Sequence, residues 1–430
     1  MATTTTNVIE ALKYTYMADR VQYLFNQEAP TWAFLSRNKR PMGGRGQFIL
    51  PTMVQNPGTF KGISEGGTLP TALAPDTAEA SFDLQEYVAV YDVTWKLIQD
   101  SSKDKFAFQG AIEMLDRGLR RRVFRNLNSD LLDNGKGRLF ILPAADDDTV
   151  VTVNALPRVE KGMVVDVVDV DDDDTKRGNS LTVTAVDPIA RTVTLSGAVS
   201  STGAGDYGVI EDTTDVTDSL CLHSNGILGI VSDANPAAVV GNYGGINRST
   251  AGNEYWKAVV LANGGTNRPL TEDLLLQALD AAREKGGGRL DGWFSNLAIV
   301  RRYHEILAAE RFFAMSGPGT LSGGIGRKQQ SMQTGDDETG DGKTPYEFSG
   351  IPWYADPYYN ANVVIGLDSR HFFLGTGENE VPRPISEIFD NIPFFRQTTS
   401  ATWEVVWYYQ MQLLSDNPAA GVQVADVAES

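Results

Sequence analysis

Residues 100–134 constrain this chain more than any other stretch, because they read as one amphipathic helix of roughly ten turns, on the order of 50 Å long. Phe108, Ile112, Leu115, Leu119, Val123, Leu127 and Leu131 recur at helical spacing, and Arg117, Arg120, Arg121, Arg122 and Arg125 fill much of the remaining surface. Asp100, Ser101 and Ser102 offer oxygens to the unpaired amides at its start, and Gly135 can turn left-handed at its end. A rod of this length with one apolar stripe needs a sheet or another long element to lie on. It acts as a strut, not as the wall of a small pocket.

A bed for it lies far away in sequence. Residues 402–413 read as a long strand with Trp403, Val405, Trp407, Tyr409, Met411 and Leu413 on a single face. The expectation is that Phe108, Leu115, Leu119 and Val123 pack on that face. Before the spine, residues 7–25 read as a helix carrying Val8, Leu12, Tyr16 and Tyr23, followed by an irregular aromatic segment, 29–35, and then Arg37, Lys39 and Arg40. This part either packs on its own domain or forms an arm along another subunit.

Residues 46–53 and 81–95 read as the two strands of a long hairpin. Phe82, Leu84, Val88 and Val90 fall on one face of the second strand, and Tyr87, Tyr91 and Val93 on the other. Between the strands, residues 54–80 carry Pro57, Gly58, Gly62, Gly66, Gly67, Pro70 and Pro75 and almost no apolar periodicity. A two-stranded ribbon is marginal alone, so this one is expected to dock on a neighbouring subunit.

Residues 143–217 change character: short Val- and Thr-rich segments at 149–153, 163–170, 180–186, 191–195 and 208–210 imply a small inserted β-barrel or sandwich. Its acidic turns, 146–148 and 169–174, do not match a helix-loop-helix calcium loop, because Asp174 stands where Gly is needed and Ser180 where Glu is needed. Beyond residue 220 the pattern is α+β. A strand over 254–261 precedes a helix capped by Thr271, with Glu272 and Asp273 at its positive end, Arg283 and Lys285 at its negative end, and Gly286 to Gly288 to stop it. A second helix spans about 295–311, residues 316–343 read as an exposed loop, and further strands fall at 351–354, 362–367 and 371–374.

The composition is that of a globular chain, and its formal charge of -18 repels phosphate from the surface as a whole. A single cysteine, Cys221, excludes an intramolecular disulfide, and the Thr-rich start lacks a signal-peptide pattern. The expectation is a soluble protein of a reducing cytosol with no membrane span. The motifs that suggest chemistry fail on context. Gly62-Ile63-Ser64-Glu65-Gly66 has the spacing of a hydrolase nucleophile elbow, but residues 67–75 cannot form the helix that must follow. Gly342-Lys343-Thr344 ends a near phosphate loop in which Asp337 replaces the first glycine and Pro345 blocks the helix. His223, His304 and His371 have no metal-ligand spacing. No enzyme, cofactor or metal is assigned. The arginines of the spine spread over a wide arc, which favours ion pairs over nucleic-acid binding.

The order of elements resembles the major capsid proteins of tailed bacteriophages, a fold shared with encapsulins. The family-like phrases are 104–134 for the spine, 226–231 re-entering after the insertion, 292–307 for a strand and helix, and 350–374 for the later strands. The resemblance implies an α+β fold with an N-terminal arm (1–44), an extended hairpin loop (45–97), a spine helix of the peripheral domain (98–142) and an inserted β domain (143–217). A peripheral continuation (218–262), an axial domain (263–380) and a peripheral return strand (381–430) complete it. It implies a structural subunit of hexamers and pentamers in an icosahedral shell, which encloses double-stranded DNA without reading its sequence. Scaffold, portal and decoration proteins are the implied partners, and the virion is the location. Lys61, Glu65, Arg117, Arg120, Arg121, Arg122 and Arg125 are then the candidate subunit contacts. Some members join subunits by a Lys–Asn isopeptide bond, and Lys61 lies in the matching loop; no feature marks a partner Asn, so that chemistry is not assigned. Encapsulins are usually much shorter and lack such an insertion, so the resemblance to the phage proteins leads. A host-surface β protein or a hydrolase are the competing classes.

Overall fold

A computed structural model describes residues 29–41, 47–55, 58–72, 74–94, 105–154, 158–170, 175–211, 223–236, 242–314, 347–359, 362–377, 382–384, 395–396 and 402–428. The expected helix at 7–25, the caps at 100–102, Cys221, the turn at 171–174 and the loop at 316–343 with its near phosphate motif lie outside them.

The chain builds its first sheet around β19 (Thr402–Ser415). Along one side it pairs antiparallel with β4 (Gln85–Thr94), from Thr402↔Thr94 to Met411↔Gln85. Along the other it pairs with β16 (Phe372–Thr376), β17 (Arg383–Pro384) and β18 (Phe395–Arg396), and β1 (Lys39–Pro41) adds in parallel to β16. Alternation along β19 buries Val405, Trp407, Tyr409, Met411 and Leu413. Over this face lies the spine, α2 (Lys105–Leu132), which ends where Gly135 takes φ 90.

The spine is not seated along its whole stripe. Leu115, Leu119 and Val123 are only half-buried, whereas Phe124, Leu127, Leu131 and Leu132 are buried in the main core. The side chains of Phe108 and Ile112 lie outside the described ones. Periodicity gives the face of a helix but not how far along its length a partner reaches.

Of the segment expected as an arm, residues 29–35 pack into this chain's own core, while Arg37, Arg40 and Pro41 beyond them are exposed. The packed residues form α1 (Pro30–Leu35), whose Trp32 edges Phe124 of α2 at 5.7 Å and Tyr409 of β19 at 5.8 Å, while Phe34 meets Phe294 at 5.1 Å and Tyr354 at 5.3 Å. α1 is a wedge driven between the first sheet and the second.

The expected hairpin is also built differently. β2 (Gln47–Gln55) pairs with β3 (Asp76–Asp83), from Gln47↔Asp83 to Gln55↔Asp76. The chain then breaks at Leu84 and β4 joins the first sheet. The break flips the faces: Phe82 is buried, but Val88 and Val90 point outward.

The second sheet has the order β11-β20-β15-β12-β14-β13. Here β11 is Val259–Leu261, β12 Gly292–Ser295, β13 Glu347–Phe348, β14 Ile351–Ala355, β15 Val364–Leu367 and β20 Val422–Val424. The expected strand at 254–261 is shorter, because Glu254–Trp256 form a tight helical turn that seats the buried Trp256 indole on the Tyr243 carbonyl at 2.9 Å. After α3 (Ile227–Ile230) come α4 (Glu272–Gly286) and α5 (Leu297–Ala314). Thr271 caps α4 by accepting from Leu274 N, and Gly287 ends it in the left-handed region.

Two strands sit outside the segments expected for them. β16 belongs to the first sheet although it falls within 263–380, and β20 lies inside the second sheet although it falls within 381–430. One short turn, Pro418–Ala420, carries the chain from the first sheet to the second.

The insertion is a six-stranded sheet in the order β5-β10-β7-β8-β9-β6. It comprises β5 (Phe140–Ile141), β6 (Val150–Thr152), β7 (Val164–Val168), β8 (Lys176–Asp187), β9 (Thr192–Leu195) and β10 (Tyr207–Ile210). Its edges meet through Asn154 N donating to Ile141 O at 2.9 Å, which curls the sheet toward a barrel. The first strand starts ahead of the expected boundary at 143. Leu139, Phe140, Val151, Val165, Val183 and Val193 share a core separate from the other two. A fragment spanning 139–211 is therefore expected to give dispersed amide resonances alone; a random-coil spectrum would mean that the spine completes its core.

Candidate subunit interfaces

The ribbon β2–β3 is anchored at its root and bare at its tip. Ala80 and Phe82 are buried, and the Phe82 ring lies 4.8 Å from Tyr243. Beyond, residues 58–72 contain no regular element and close on themselves by Thr59 Oγ1 donating to Thr71 O at 2.7 Å and Gly67 N donating to Ser64 O at 2.9 Å. Phe60 is fully exposed, Leu69 is 77% exposed and Ile63 is 50% exposed. Lys61 and Glu65 are exposed beside them. Ser64 thus sits in an open turn without a flanking strand and helix, which removes the geometry a nucleophile elbow needs. Proline and glycine at the tip hold the backbone away from a ladder, so these apolar side chains face water.

A second apolar surface is the outer face of β4, where Val88 and Val90 are 60% and 45% exposed. Glu86 stands next to them and accepts from Tyr408 Oη at 2.7 Å and Gln410 Nε2 at 2.8 Å.

The spine arginines divide into distinct roles. Arg125 is buried and ion-paired with Glu160 of the insertion, so it is an internal tie and not a surface contact. Arg122 reaches the same Glu160 at 3.6 Å. Arg120 pairs with Asp116 at 3.4 Å, and its guanidinium lies 5.3 Å from the Trp407 ring centroid. Arg117 is exposed and Arg121 half-buried. Of the sequence candidates, Lys61, Glu65 and Arg117 are exposed, and Arg122 keeps 47% of its side chain in water.

The sequence reading missed the charge cluster that joins spine and insertion. Arg158 bonds Asp130 of α2 and donates to Asn126 O at 2.9 Å and Arg138 O at 3.0 Å, while His223 Nδ1 lies 3.1 Å from Asp130 Oδ2. Burial alone would raise Asp130; Arg158 and His223 outweigh it and hold the carboxyl well below the usual range. Nothing in the spacing of these residues could have paired them. His371 likewise engages Asp416, at 2.8 Å. Among the described residues no group of His, Cys, Asp and Glu is arranged to hold a metal ion, and no helix is long and apolar enough to cross a membrane.

Exchanging the tip charges, Lys61→Glu with Glu65→Lys, is expected to leave the subunit's circular dichroism unchanged and to weaken its association. Equal loss of folding in the monomer would show that these residues serve their own domain.

The described elements make up an α+β fold like that of the major capsid proteins of tailed phages. The capsid asymmetric unit of cyanophage A-1(L) matches with a TM-score of 0.54 at 13% identity, over 95% of this chain and 96% of that one. Weaker likenesses are the Microbacterium phage Oxtober96 structure (TM-score 0.44, 11% identity, 98% of each chain) and the holo-SrpI encapsulin complex from Synechococcus elongatus (TM-score 0.41, 10% identity, 97% of this chain and 96% of that one). No family model matches the sequence, and no curated protein matches it.

Proposed function

We propose that this chain is a major capsid subunit, a structural protein that self-assembles into hexamers and pentamers of an icosahedral shell around double-stranded DNA. The observation that carries the reading is a capsid fold whose anchored ribbon keeps Phe60, Ile63 and Leu69 in water. Apolar side chains stabilise by about 25 cal/mol for each Å² removed from water, and none of the described residues covers this tip, which leaves that to another molecule. A ribbon laid on the next subunit is a head-to-tail contact, and such contacts close into rings. The charge of -18 suits a container that repels phosphate instead of binding it. The role is structural, not catalytic. Its partners are further copies of itself, with scaffold, portal and decoration proteins, and its place is the virion after assembly in the host cytoplasm.

Negative-stain microscopy of the purified protein tests this. Rings of six and five, or closed shells, are expected; compact monomers at every concentration would overturn the reading. Shells that load protein cargo and exclude DNA would make it an encapsulin-like compartment.

A further inference from the structure

Asp356 is a fully buried carboxylate where three elements meet. It follows β14, and its Oδ2 accepts from the Thr31 hydroxyl of α1 at 2.7 Å and from the Asn128 amide of α2 at 2.8 Å, while Oδ1 accepts from Tyr358 N at 2.9 Å. Asn128 Oδ1 accepts in turn from Trp32 N at 2.8 Å. Wedge, spine and second sheet therefore close on one acid, and each of these donors is neutral.

Charged groups on the same elements are engaged elsewhere. Asp130 of α2 faces Arg158 and His223, and Lys39, beyond α1, lies 5.7 Å from the Trp32 ring. On the side of β12, Ser295 O accepts from Asp356 N at 3.0 Å. Tyr359, buried beside the acid, is pushed far up by burial and then by the Asp356 charge, so it stays neutral. Among the described residues its partners are neutral donors and no cation, and a buried carboxylate so placed is costly to ionise.

We propose that Asp356 is a proton-operated lock on the wedge helix: α1 stays seated while the carboxyl is protonated, and its seat opens more readily once the carboxyl is ionised. Burial pushes the group from 3.8 up to about 6, and the bonds from Asn128, Tyr358 and Thr31 offset that only in part. When α1 lifts, water reaches the carboxyl and its ordinary value returns. The seated form thus holds the proton more tightly. Seating is fully stabilised below the ordinary value and weakens as pH rises through the seated one. Protonation need not break the junction, because the Thr31 hydroxyl can turn and accept the carboxyl proton. The chain runs from α1 directly into β1 of the first sheet, so the lock sets how firmly that entry is anchored.

Hydrogen exchange of the unassembled full chain, followed in peptides covering 29–36 and corrected for intrinsic rates, tests the lock. The opening constant should rise about tenfold from pH 5 to pH 8 and level off near the top of that range. Asp356→Asn, neutral at every pH, should remove the rise. Thr31→Val, which removes the hydroxyl that bonds the carboxyl in both of its protonation states, should change the size and the midpoint of the rise; it keeps the test decisive if the asparagine variant does not fold. A flat wild-type profile, or an unchanged rise in either variant, would overturn the proposal. The measurement uses subunits, so it stands apart from whether shells form.

Discussion

Phe60→Ser combined with Leu69→Ser is expected to abolish assembly while changing the subunit's own stability by no more than about 0.5 kcal/mol. Both side chains stand in water in the single chain, one fully exposed and the other 77% exposed, so the fold loses no buried area when they are trimmed. An assembled neighbour would lose all of it, at about 25 cal/mol per Å², and the loss recurs at every copy of the contact. The two effects separate cleanly. Urea unfolding reads the first and sedimentation velocity reads the second. A double variant that assembles like the parent would remove the tip from the interface and with it the main support for a shell subunit.

Leu127→Ala should do the opposite, costing about 2 to 5 kcal/mol within the subunit and leaving little soluble protein. Leu127 is 1% exposed in the core that unites the spine with β19 and the wedge helix. Native proteins hold only about 5 to 15 kcal/mol in reserve, so the loss is a large share of it. Leu119→Ala, on the same stripe, should cost about 1 kcal/mol or less, because Leu119 is only half-buried. Denaturant midpoints of the pair measure the difference. Equal losses would mean that the spine is seated along its whole length.

These expectations differ from what the sequence suggested, and the difference is physical. The helical stripe, the alternation along 402–413 and the cap at Thr271 arise from neighbours in sequence, and all three appear in the structure. The break at Leu84 does not. A period-two pattern runs through it, and only the competition between β2 and β19 for the next strand decides that β4 leaves the ribbon. Arg125 reads like its neighbours, yet Glu160 of the insertion buries it. The candidate tip was legible because glycine, proline and the lack of periodicity are local. The Asp130–Arg158–His223 cluster was not, since its members come from separate parts of the chain.

Local chemistry in the sequence therefore settled the spine, the long strand and the capped helix, and the order of elements was enough to indicate the fold. The partners were settled only in three dimensions. β20 enters the middle of the second sheet, between β11 and β15, and β16 crosses to the first, because hydrogen-bonding edges are filled by whichever strand the packed core brings to them. The irregular aromatic segment at 29–35 became a wedge for the same reason: Trp32 and Phe34 find aromatic partners on both sheets only after both sheets exist.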